Sequence, residues 1–141
     1  MTNTDVSAHL IRAYEATDYW VLEPVPFTMK IGKSSMPLAD LCRRFGSRSA
    51  CVITAWNPRS EEHSDAENDA AQRRLIAELD KVGLRHFPAF GADPTEKWKG
   101  EASLLVLGAA QATVEEFGRR YGQNCIVWAG DDALPRLIFL R

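Results

Sequence analysis

The residues in this chain with the types and placement to do chemistry are a few carboxamides, one hydroxyl, one indole and one carboxylate. Asn57 closes the apolar run CVITAW (51–56) and leads through Pro58 and Arg59 to Ser60, before an amphipathic segment that carries Asn68. Trp98 stands between Lys97 and Lys99 in a polar stretch, Glu101 opens an apolar run, and Gln123 with Asn124 follows Gly122. Each carboxamide offers a donor and an acceptor with which to orient a ligand. An indole supplies a flat wall for ring stacking, and a lone carboxylate can move a proton as general acid or base. Glu101 is the single catalytic candidate of this set. No nucleophile stands beside a base, and one carboxylate among amides suits binding better than turnover.

Cofactor and metal signatures are missing from the pattern. His9, His63 and His86 stand alone, with no His-x-x-x-His and no Cys-x-x-Cys, so no metal site is expected. After CVITAW there is neither Gly-x-Gly-x-x-Gly nor Gly-Lys-Ser, so no dinucleotide or P-loop cofactor is expected either.

The case for a site rests on Asn68. With Leu75 at zero on a helical wheel, Leu79, Val82 and Ala71 fall within about 40° and define a buried stripe, and Asn68 falls at about 20°, inside it. An amide on an apolar stripe must meet polar partners, because each missing hydrogen bond costs roughly 1–3 kcal/mol. Asn57, at the end of the preceding strand, is the nearest candidate. Two readings stay open. Either Asn57 makes an Asx turn before Pro58 and Asn68 ties down the same loop, or both amides converge with Ser60 and free helix amides on a ligand, the helix end receiving an anion.

The remaining residues carry the same duality. Trp98 covers a core edge or forms a stacking wall, and Glu101 is a solvated strand end or a carboxylate facing the site. Gln123 and Asn124 cap the turn after Gly122 or touch the ligand. Arg73 and Arg74 point away from the stripe as solvated charges, and Glu67 is the capping partner of Ser64 or a boundary carboxylate reaching the site.

These groups need elements to hold them. Val6, Leu10, Ile11 and Tyr14 recur at helical spacing over residues 4–16. Residues 19–24 and 27–32 alternate as two short strands joined around Pro24 and Pro26. Pro37 opens a second helix closed by Gly46, and Ser64-Asp65-Ala66-Glu67 is a capping box that starts a third helix over 64–82. Strands follow at 84–90 and 101–108, and a second box at Thr113-Val114-Glu115-Glu116 starts a fourth helix ending at Gly122. The chain closes with strands at NCIVWAG and PRLIFLR. The order α β β α β α β β α β β predicts an α+β fold, an α/β sandwich. Its sheet is mixed and mostly antiparallel, with about six to seven strands and about four helices, and the helix over 64–82 permits one parallel crossover.

Composition narrows the classes. With 141 residues, 45% of them hydrophobic and 26% charged, residues 1–141 form a single domain. Seventeen Lys and Arg against 19 Asp and Glu leave a net charge of −2 without basic clustering, so no duplex nucleic acid is expected. Single-strand binding through exposed aromatics would likewise want a basic groove. Residues 1–9 are polar and no apolar run is long enough to cross a bilayer, so no membrane association is expected. Cys42, Cys51 and Cys125 are odd in number and set in apolar segments, which points to reduced thiols in the cytoplasm.

Together, Ile53-Thr54-Ala55-Trp56-Asn57-Pro58 with Ser60, Ser64 with Glu67-Asn68, Trp98 with Glu101 and Ser103, and Gln123-Asn124 resemble the bacterial domain of unknown function 3293. The likeness runs from Tyr14 to Phe139, and Cys125 departs from the alanine-like residue expected there. That family implies no activity. It does imply that Asn57, Ser60, Asn68, Trp98, Glu101 and Gln123 share a pocket. The expectation is a small-molecule or nucleotide-like ligand bound where strand 50–56 meets helix 64–82, with catalysis left open. The alternative is a non-catalytic interaction or regulatory module in which Trp20 or Trp128 contacts a protein partner.

Overall fold

A strand that is apolar at every position must be covered on both faces, and the runs around residues 50–53 and 101–107 meet that condition. In the computed structural model, which describes residues 4–141, both lie inside the sheet. Residues 1–3 of the polar N-terminal stretch lie outside the described residues. The elements are α1 (Ala8–Ala16), β1 (Asp18–Val21), β2 (Phe27–Met29), α2 (Met36–Arg44), β3 (Ala50–Ile53), a 3-10 turn (Pro58–Ser60), α3 (Asp65–Lys81), β4 (Arg85–Ala92), β5 (Glu101–Leu107), α4 (Gln111–Arg120), β6 (Cys125–Ala129) and β7 (Arg136–Phe139). The order is the expected α β β α β α β β α β β.

The seven strands make one sheet, ordered β2-β1-β4-β5-β3-β6-β7, and every neighbouring pair is antiparallel. The anticipated parallel crossover exists in a split form. β3 and β4, joined by α3, run parallel, but β5 is inserted between them and pairs with both. The sheet is therefore antiparallel in all its hydrogen-bonded pairs rather than mixed.

Period-two alternation sends the sheet's side chains into two cores. Ala50, Val52, Leu105, Leu107, Val127 and Ala129 face Leu38 and Leu41 of α2, together with Tyr19, Val21 and Met29. Cys51, Ile53, Leu104, Val106 and Ile126 face Ala71, Leu75 and Leu79 of α3 and Val114 and Phe117 of α4. Helices on both faces of one sheet give the expected sandwich. Helix α1 belongs to neither core: Leu10, Ile11 and Tyr14 are only half-buried, and the buried residues beside it, Val6 and Thr17, lie just outside the helix. Trp128 packs against the α3–α4 core, whereas Trp20 stays 40% exposed, so only Trp20 of the two tryptophans presents an open surface. Among the described residues, no helix is long and apolar enough to cross a membrane.

The two predicted capping boxes part ways. At α3 the Ser64 hydroxyl accepts from the Glu67 N–H at 3.1 Å, and the Ser64 N–H donates to the Glu67 carboxylate at 3.2 Å. At α4 the helix instead starts at Gln111, with Ala110 as its cap and no side-chain bond. Burial of Ala109 and Val114 in the core decides that start, carrying the chain into the helix ahead of Thr113. Denaturant titration should therefore separate the two: Ser64→Ala costs about 1 kcal/mol, while Thr113→Ala stays within about 0.5 kcal/mol of wild type.

Candidate functional site

Beyond β3 the chain runs on as Thr54-Ala55-Trp56 and then turns sharply. The Thr54 hydroxyl donates to the Ala102 carbonyl at 2.7 Å, and the Ala55 N–H donates to the buried Gln72 side-chain oxygen at 2.9 Å. Asn57 then adopts φ 44°, ψ 67°, with Arg59 at φ 59° and Ser60 at φ 60°. Three non-glycine residues in the left-handed region within four positions cost on the order of 1 kcal/mol each. Surrounding bonds must hold the corner. The Arg59 N–H donates to the Gly122 carbonyl at 2.7 Å, and the Ser60 N–H to the Asn57 carbonyl at 2.8 Å. Gly122, itself at φ 68°, is required here because a Cβ would lie 3.0 Å from the Pro58 Cβ.

The strongest clamp is a reciprocal amide exchange. The Asn57 backbone N–H donates to Asn68 Oδ1 at 2.8 Å, and Asn68 Nδ2 donates to Asn57 Oδ1 at 2.8 Å. Asn57 Oδ1 also accepts the His63 N–H at 3.0 Å, and Asn68 Nδ2 reaches the His63 carbonyl at 3.4 Å. Asn68 is 2% exposed, so the amide that the wheel placed on the stripe is buried against the corner. Both its donors are used inside the protein, and its work is to position Asn57.

Asn57 passes that order onward. Its Nδ2 donates to Glu101 Oε2 at 3.0 Å across 44 residues of sequence. Among the described residues, no Lys, Arg or His pairs with Glu101. Burial raises its carboxyl above the usual range, and the Asn57 amide opposes that only in part. A second cluster ties α1 to the same corner. The Tyr14 and Ser60 hydroxyls lie 2.6 Å apart, Asn124 Nδ2 donates to Tyr14 Oη at 2.9 Å, and Arg141 holds Asn124 Oδ1 at 2.8 Å. Gln123 Nε2 donates to the Trp56 carbonyl at 3.2 Å and the Tyr121 carbonyl at 3.3 Å, stitching the α4 end to the corner.

A cavity of about 510 Å³ opens at this junction, and Asn57, Ser60, Asn68, Trp98, Glu101 and Gln123 all line it. Trp98, 36% exposed, stands at the wall that leads into Glu101. One side of α1, with Leu10, Ala13 and Tyr14, makes the opposite wall. The chemistry on offer is narrow. Burial pushes the Cys125 thiol up to about 12, so it is no thiolate nucleophile at neutral pH. Ser60 has a phenol and an amide as neighbours, neither of them a base. Glu101 is the proton-carrying group that the corner itself orients, and His9 and His63 are imidazoles elsewhere in the lining. The helix end expected to receive an anion already has Asp65 and Glu67 in its first turn, and Ser64 already bonds the Glu67 N–H.

Two participants escaped the sequence reading. Tyr14 reads as a stripe residue, although its hydroxyl is a polar tip that seeks a partner when buried. Gln72 lies about 60° from the stripe centre on the same wheel that found Asn68, and its Nε2 is buried without a partner among the described residues.

Removing the clamp should weaken the whole corner. Asn68→Ala strands the Asn57 N–H and takes one of two donors from Asn57 Oδ1, and should lower stability by about 1–3 kcal/mol in denaturant titration. Glu101 has the opposite sign. Its folded carboxyl holds a proton more tightly than the unfolded one, so its contribution to stability falls as pH rises through the carboxylate range. Glu101→Gln should thus melt at or above wild type at about pH 8, with the difference closing towards about pH 3.

The comparisons add a family to this geometry. No curated protein and no solved structure matches the chain. A family model described as "Protein of unknown function (DUF3293)" matches residues 53–126, a segment that holds all six of the cavity residues anticipated from sequence but stops short of α1 and β7. By that match the chain belongs to the DUF3293 family.

Proposed function

We propose that the protein binds a small organic ligand with a flat ring, of nucleoside size or smaller, in the cavity between the Asn57 corner, Trp98 and α1. One observation carries the reading: a carboxylate, Glu101, stands half-buried in a roomy cavity with, among the described residues, a single amide as partner and no paired cation. Folding does not favour such a group, because desolvating an unpaired carboxylate is unfavourable. A ligand that hydrogen-bonds it supplies the compensation. The cavity volume falls within the range of ordinary ligand sites. Trp98 then acts as the stacking wall, Asn57 and Asn68 set the direction of Glu101, and the Tyr14–Ser60–Asn124 cluster holds α1 in place as the far wall. Any turnover would run through Glu101, the carboxyl that Asn57 orients. The proposed setting is the bacterial cytoplasm, in keeping with three free cysteines.

A second reading has its own observation. Trp20 and Phe90 lie opposite one another on β1 and β4, 40% and 37% exposed, on the face of the sheet that bears α3 and α4 but outside their core. That face suits an interaction module with a protein partner.

A thermal-shift screen of nucleosides, nucleotides and common metabolites separates the two. The binding reading expects at least one compound to raise the wild-type Tm by about 5 °C or more at a hundredfold excess over its Kd. It also expects Trp98→Ala to lose that shift while Trp20→Ser keeps it. A silent screen, with Trp20→Ser abolishing capture of a stoichiometric protein partner, supports the module instead.

A further inference from the structure

The charge and hydrogen-bond state of the cavity wall point to the class of ligand. We propose that the cavity selects a cationic, hydrogen-bond-donating nitrogen group carried on a flat ring, such as an amidinium or guanidinium, and rejects anionic ligands of the same shape. The inference rests on the binding reading above.

Its first support is the balance of charge. The cavity lining includes three carboxylates, Glu62, Asp65 and Glu101, against one lysine, Lys99, and Lys99 is already paired with Asp65 at 3.2 Å. The neutral groups stay neutral: burial holds the Tyr14, Tyr19 and Cys125 protons more firmly than usual, so none of them adds a charge of either sign. His9 and His63 are the other titratable lining groups, and His63 sits beside Glu67 with Nδ1 3.8 Å from Oε2.

Hydrogen bonding is the second support. The side-chain N–H groups of Asn68 and Gln123 are engaged within the protein, so these two amides offer no donor to an anion. At Glu101, Asn57 occupies Oε2 while Oε1 has no partner among the described residues. A planar donor that presents two N–H groups matches a carboxylate oriented in this way. Folding has already taken part of that carboxylate's water and fixed its direction through Asn57, so a cation meets a partly desolvated, preorganised counter-charge. Aromatic lining is the third support, since the faces of Tyr14, Trp56 and Trp98 attract cations and repel anions.

Three probes of one shape decide it: benzamidine, benzamide and benzoate, cationic, neutral and anionic. Each is titrated into the full chain at about pH 8, above the carboxylate range, and followed by the Trp98 indole N–H and the Asn57 side-chain amide in proton–nitrogen NMR spectra. Benzamidine should shift both signals and bind at least about tenfold more tightly than benzamide, with benzoate leaving them unmoved. Glu101→Gln keeps an acceptor for Asn57 and should erase the preference of benzamidine over benzamide. Should that variant fail to fold, the ranking of the three probes on wild type still decides. Benzoate or benzamide binding as tightly as benzamidine overturns the charge inference and leaves the binding reading standing. So does a folded Glu101→Gln that keeps the tenfold preference. Silence from all three probes also overturns the charge inference, and the binding reading falls only if the broad ligand screen is silent as well.

Discussion

The reciprocal amide exchange between Asn57 and Asn68 is the constraint on which the site depends. It lets a non-glycine residue sit at φ 44°, a conformation asparagine tolerates better than most because its short side chain can bond locally. With Asn57 turned in that way, its backbone N–H and side-chain oxygen face α3 and its side-chain nitrogen faces β5. One residue then couples three elements: the end of β3, the first turns of α3 and the start of β5. The strain of Arg59 and Ser60 is carried by bonds to Gly122 and Tyr14, so the corner is held from both sides of the cavity.

The cavity itself follows from where α1 does not pack. A helix with Leu10, Ala13 and Tyr14 on one face would ordinarily press that stripe onto the sheet. Here α3, α4 and α2 already cover the central strands, and α1 is anchored by hydroxyls and amides at the corner rather than by burial. Leu10, Ala13 and Tyr14 of that stripe line the same cavity as Glu101 and Trp98. An element held mainly by polar contacts, with no fully buried residue, stands at the less stable end of a fold. That is where a binding wall able to adjust to its ligand would be placed.

Chemically the site is one-sided. A buried carboxylate without a cation, a thiol held protonated, and a serine whose neighbours are a phenol and an amide give no pair of groups poised for nucleophilic attack. Among the groups lining the cavity the uncompensated cost sits at Glu101, and a second lies behind the corner at the buried Gln72 Nε2. Sites at which folding leaves one polar group imperfectly satisfied, while its neighbours are saturated, are those where an external partner has most to contribute.

Local pattern was enough to draw the elements: helical spacing marked the four helices, alternation marked the strands, and the Ser64 box located the start of α3 to the residue. A helical wheel on 64–82 was enough to turn Asn68 inward, since which face of a helix is apolar is a property of nearest neighbours in sequence. The family match over residues 53–126 covers that same region. The insertion of β5 between β3 and β4, the start of α4 ahead of Thr113, and the side chains that meet at the site were decided by tertiary structure. Asn57 meets Glu101 across 44 residues and Tyr14 meets Asn124 across 110. Contacts that distant have no period to leave in the chain, because they depend on which strand pairs with which. Only once the sheet order is set does the burial that raises the Glu101 carboxyl, or the hollow beside it, exist at all.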